Sequence, residues 1–144
     1  MSRRRRIATL LWVALICWAA AILYLSSLNP DQLPDSAFLF WDKVNHFAAF
    51  AVGGWLAALA LRTSLPRTPG VRIVVLAVIL IAAFGVLDEA LQTFTPGRTG
   101  ADISDWTADV LGASAGALAS LRQGTRSVTS DSVITTSSST RGAP

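Results

Sequence analysis

The chain contains one histidine, His46, and it stands among charged residues: Asp42 four positions before it and Lys43 three positions before it. On a helix those spacings place all three on one face. A second group follows at Asp88, Glu89 and Gln92, and a third at Asp102, Asp105 and Asp109, again spaced three and four apart. Arg98 lies between the last two groups, in the stretch Pro96-Gly97-Arg98. A histidine beside carboxylates can move protons, so His46 and Glu89 are candidates for general acid and base. Lys43 and Arg98 could hold a phosphate or a carboxylate. Gln92, Asp102, Asp105 and Asp109 complete a candidate ligand-binding set. Bland roles compete with these: aspartates near helix starts serve as N-caps, and ion pairs pin loops.

The same residues exclude several chemistries. A single histidine rules out two-histidine phosphatase chemistry, and no serine is framed by glycines and a histidine as a nucleophile requires. The lone Cys17 allows no intrachain disulfide and no thiolate metal site. One histidine with several carboxylates would suit a hard or borderline cation. No HExxH-like spacing supports it, so neither a metal nor any other cofactor is assigned.

The elements that position these groups are apolar and long. Of the 144 residues 52% are hydrophobic and only 15% charged, with a mean hydropathy of +0.50. A soluble domain of this size needs more polar surface. Four segments are expected to be transmembrane helices: Ile7 to about Leu28, Val44 to Leu61, Ile73 to Leu91, and a weaker one from Asp105 to Leu121. A span needs about 20 apolar residues. The first run is too long for a signal peptide and ends without a small-residue cleavage site, so it reads as an uncleaved anchor. The fourth is short and rich in Ala, Gly and Ser; its Gly112 and Gly116 form a GxxxG pair. Such a pair suits either a dimer seam or close packing within the bundle, and packing within the bundle is the preferred reading. The oligomeric state is left open.

The expected fold class is therefore all-α, an integral membrane four-helix bundle. Its divisions are a basic N-terminus (1–6), a membrane domain (7–121) and a disordered Ser/Thr-rich tail (122–144). The net charge of +3 comes from clustered arginines: Arg3 to Arg6, Arg62, Arg67, Arg72, Arg122 and Arg126. Flanking apolar runs as they do, they orient helices in a bilayer and do not point to nucleic acid. All of them fall on one side of the expected topology, which puts both termini in the cytoplasm. The carboxylates, except Asp131 in the tail, gather at the opposite face. A polar pocket on the extracytoplasmic side is the result expected.

As a set, Asp42-Lys43-x-x-His46, Glu89-x-x-Gln92, Pro96-Gly97-Arg98, Asp102-x-x-Asp105 and Leu111-Gly112-Ala113 resemble the VanZ-like family of bacterial membrane proteins, from about Trp41 to Leu118. Asp109 stands where that family often has asparagine, which puts an amide-specific role there in doubt. The family takes its name from a protein conferring low-level teicoplanin resistance, so the resemblance implies a role in the cell envelope at the plasma membrane. Two functions fit the residues. One is an outer-leaflet enzyme acting on a lipid-linked or cell-wall precursor, with an effect on glycopeptide susceptibility. The other is a non-enzymatic accessory module that recognises an anionic envelope ligand or a partner protein. Proton or ion translocation is a weaker third, because the inner halves of the helices carry almost no polar side chains.

Overall fold

The computed structural model describes residues 2–29, 42–97 and 100–139, with side chains described as far as Arg122. The described residues form four helices: α1 (Arg3–Ser26), α2 (Asp42–Ser64), α3 (Gly70–Gln92) and α4 (Ile103–Ser139). Each helix starts before its apolar run does. In α1 the arginines, good helix formers, join the first turn behind Ser2, whose side chain caps the helix by accepting from the Arg5 N–H. Pro69 stands immediately before α3, where its fixed φ and missing N–H disturb nothing. The helical assignment of α4 runs on to Ser139, past Leu121 where the apolar sequence ends. Its packed part does stop there, since Ser120 is the last buried residue among the described side chains.

Among the described residues three helices are long and apolar enough to cross a membrane: Arg3–Ser26, Lys43–Ser64 and Gly70–Gln92. The segment expected as a fourth span does not reach that standard, because Asp105 and Asp109 and its small residues lower its hydropathy. The outer surface supports the membrane reading. Leu10, Ile16, Val71 and Ile79 are each at least 60% exposed. The interior is built from small residues, with Ala57, Ala58, Ala60, Ala77, Ala113 and Ala117 buried. Large apolar residues outside and small ones inside is the arrangement lipid favours, because close backbone approach drives association there.

Cross-helix contacts define the topology. Lys43 meets Asp105 and Arg62 meets Ser120, so α2 and α4 run parallel. Arg4 reaches Thr63 and Trp18 reaches Ala49, so α1 runs antiparallel to α2. Trp106 donates to the Ala82 carbonyl and Asp102 N–H donates to Glu89, so α3 runs antiparallel to α4. The bundle thus has a basic end, with Arg4 and Arg62, and an acidic end.

The α2–α4 contact is the most extensive in the bundle. A Cβ added at Gly112 would overlap the Phe47 carbonyl, and one at Gly116 the Ala51 carbonyl. The GxxxG pair of α4 therefore packs on α2 within the chain. Because the two backbones touch, side chains one turn apart on α4 can reach side chains on α2 directly, and this builds the site.

Candidate functional site

His46 lies one turn into α2 and faces α4, where its Nδ1 is 2.9 Å from Asp109 Oδ1. The Asp109 side chain is fully buried and that of His46 is 13% exposed. One turn nearer the helix ends, Lys43 donates to Asp105 Oδ1 at 2.7 Å and also to the Ser104 hydroxyl. The i, i+3 spacing of Lys43 and His46 thus meets the i, i+4 spacing of Asp105 and Asp109 across the parallel helices. Asp42 opens α2, and its side chain lies outside the described residues.

Glu89 approaches from α3. Its Oε2 accepts the Asp102 N–H at 2.9 Å, and its backbone carbonyl accepts the Ala101 N–H at 3.3 Å. The carboxylate thus binds the N–H of the residue that starts α4, as a capping-box glutamate would from within the same helix. One ligand atom from each of His46, Glu89 and Asp109 lies within 4.8 Å of the others. Glu89 Oε1 and Asp109 Oδ2 are buried and have no hydrogen-bond partner among the described residues. Gly85 of α3 makes room here, since a Cβ added there would stand 3.1 Å from Asp109 Oδ2. Phe50 forms the floor, its ring stacked against His46 with centroids 6.3 Å apart. Below that, Phe50, Phe84 and Trp18 pack on one another.

Three further residues of the candidate set have partners in the framework. The Asp102 carboxylate accepts from both the N–H and the hydroxyl of Ser104, and its carbonyl accepts from the Trp106 N–H. It is the N-cap of α4, and those Ser104 bonds, side chain first, hold its pKa below the ordinary carboxylate range. Gln92 donates to Asp88 Oδ2 at 3.0 Å and to the Ser26 hydroxyl at 3.4 Å, tying α3 to α1. Lys43 bonds Ser104 and Asp105 of α4 with its side chain 57% exposed. Arg98 lies outside the described residues. Two residues of the acidic end that were given no site role, Asp88 and Ser26, belong to the Gln92 link. Asp88 is buried, and its Oδ1 has no hydrogen-bond partner among the described residues. An acid inside an apolar helix was the signal for it; nothing in the sequence singles out Ser26.

Beside Glu89 a side slot of about 370 Å³ opens between α3 and α4. Its walls are Val86, Ala90, Ala101, Ile103 and Trp106, with Glu89 and Asp102 at one margin. Ala101 holds a left-handed backbone (φ 61°) where the chain turns into α4. No sequence signal marks that slot, because its walls come from two helices and a turn.

The fold and site define a helical membrane protein with a buried histidine–carboxylate cluster at one end of its bundle. The VanZ/LLP1 family matches residues 11–122, and the chain belongs to that family. No curated protein matches the chain, and no solved structure matches it.

Proposed function

We propose that this chain acts at the outer leaflet of the bacterial cytoplasmic membrane on a lipid-linked cell-wall precursor, through the cluster of His46, Glu89 and Asp109. The observation that carries this reading is that Glu89, one member of that cluster, also lines an apolar slot of about 370 Å³. A slot walled by Val86, Ile103 and Trp106 suits a lipid chain, and the buried polar group at its margin suits the headgroup. Asp109 orients the imidazole of His46, as a carboxylate does for a histidine that shuttles protons. Glu89 Oε1, which has no hydrogen-bond partner among the described residues, is a second base within reach.

The orientation follows from charge. Arg4 and Arg62 both lie at the basic end, bonded to the Thr63 and Ser120 carbonyls; Arg67 and Arg72 follow Arg62 closely in sequence, and Arg122 follows Ser120. Placing that end in the cytoplasm puts both termini there and the acidic end outside. On this reading α4 is a fourth span despite its low hydropathy, because its polar residues face α2 and α3.

A non-enzymatic module is the second reading, and one observation favours it. Glu89 and Asp102 fasten the start of α4, so part of the acidic group is framework. In either case a change in glycopeptide susceptibility is the expected phenotype.

The test is photocrosslinking of purified protein in nanodiscs with a photoreactive polyprenyl phosphate. Labelling within residues 86–106, abolished by Val86→Trp, supports the site. Labelling elsewhere, or labelling unchanged by Val86→Trp, refutes it. Conversion of the lipid that depends on His46 then separates the enzyme from the module.

A further inference from the structure

The acidic end has a charge problem. Asp88, Glu89, Asp105 and Asp109 are all buried, whereas the cations described there are Lys43, already paired with Asp105, and His46 when protonated. An anionic headgroup would meet carboxylates. Asp109 and Glu89 share a pattern that bears on this. Each spends one oxygen on the framework, Asp109 Oδ1 on His46 and Glu89 Oε2 on the Asp102 N–H. Each keeps the other oxygen buried without a hydrogen-bond partner among the described residues. Buried carboxylate oxygens are ordinarily satisfied by hydrogen bonds or by a metal.

We propose that His46, Glu89 and Asp109 bind one divalent transition cation of the Mn²⁺ or Zn²⁺ type. The imidazole supplies Nδ1, the ring nitrogen that faces Asp109, so the cation takes the place of the proton in the His46–Asp109 bond; with two carboxylates supplying oxygens, the donor set favours these ions over Ca²⁺ or Mg²⁺. The ligand atoms lie within 4.8 Å of one another. Bonds of about 2.1 Å place the ligands of one ion at most about 4.2 Å apart, so side-chain movements of under about 1 Å complete the site. Further coordination positions can open toward the slot beside Glu89. The Asp102 N–H fixes the Glu89 carboxylate from behind, as outer partners fix metal ligands. For its purpose the cation rests on the reading above, since it would give an anionic headgroup a positive partner. Its geometry stands without that reading.

The experiment is Mn²⁺ titration of the full chain in nanodiscs, purified on a tag free of histidine and read by electron paramagnetic resonance. The chain has one histidine, so any imidazole ¹⁴N coupling to bound Mn²⁺ reports His46 alone. The expected result is one Mn²⁺ per chain with that coupling. His46→Gln should abolish the coupling, and Glu89→Gln and Asp109→Asn should each weaken binding at least ~10-fold. Circular dichroism identifies variants that remain folded, and His46→Gln keeps a hydrogen-bonding group opposite Asp109 should Asp109→Asn fail to fold. Absence of saturable Mn²⁺ and Zn²⁺ binding up to ~1 mM, bound Mn²⁺ without ¹⁴N coupling, or unchanged binding in Glu89→Gln would overturn the proposal. Any of these could occur while the lipid still labels the slot, so the two failures are distinguishable.

Discussion

Replacing Gly116 by alanine should disturb the polar cluster from two turns away. Gly116 lies against the Ala51 carbonyl, and an added Cβ would overlap that oxygen and stand 2.9 Å from the Trp55 nitrogen. Non-bonded atoms rest at roughly 3.5 Å, so α4 must draw back from α2 by on the order of 1 Å. Overpacking of this kind costs about 1–3 kcal/mol. The His46–Asp109 contact, now 2.9 Å, would be stretched past hydrogen-bonding range. A buried bond to a charged group contributes about 1.5–3 kcal/mol, which with the overpacking brings the expected loss to about 2.5–6 kcal/mol. The assay is SDS unfolding in mixed micelles followed by circular dichroism, with Ala115→Leu as comparison. Ala115 is exposed on the same helix, and its replacement should shift stability by no more than about 0.5 kcal/mol. If Gly116→Ala unfolds at the same SDS fraction as the parent and only its self-association changes, the packing of α4 on α2 within the chain is refuted.

Gln92→Leu removes the donor to Asp88 Oδ2, whose partner oxygen already has none. The expected cost is about 1–3 kcal/mol in the same unfolding assay, and an unchanged midpoint would contradict the link between α3 and α1. The lowered pKa of Asp102 gives a signed pH dependence. Because the folded value is depressed below 3.8, its stabilisation is fully present above that ordinary value and is lost as pH falls through the depressed one. Asp102→Ala should therefore lower stability at pH 7 and flatten the acid limb below pH 3.8, and parallel acid limbs would count against the cap. Ala101→Gly relieves a left-handed alanine and should raise stability by up to about 1 kcal/mol; a loss would show that the alanine methyl group is needed at the slot.

The helices were legible because apolar runs of span length bounded by arginines and prolines admit few other structures. The grouping of acids at one end was legible too, since alternating helix direction brings Asp42, Glu89 and Asp102 to one level. The partners within that group were not. His46 with Asp109 and Glu89 with Asp102 pair across helices, and spacing rules report only neighbours on a single helix. Asp102 shows the same limit differently: an aspartate at a helix start reads equally as cap or ligand, and only its bonds to Ser104 decide. Gln92 also bonds Ser26 of α1, a contact that sequence separation hides. The weak hydropathy of the fourth segment has the same origin as the site, because the residues that lower it are those facing α2.

The central claim is that the buried cluster of His46, Glu89 and Asp109 carries the function in the envelope. The most direct measurement is growth of a deletion strain under teicoplanin, complemented with the parent chain, His46→Gln or Glu89→Gln at matched membrane abundance. The account predicts that the parent chain restores tolerance and that both variants fail while remaining folded and inserted. Variants that protect as well as the parent would contradict it.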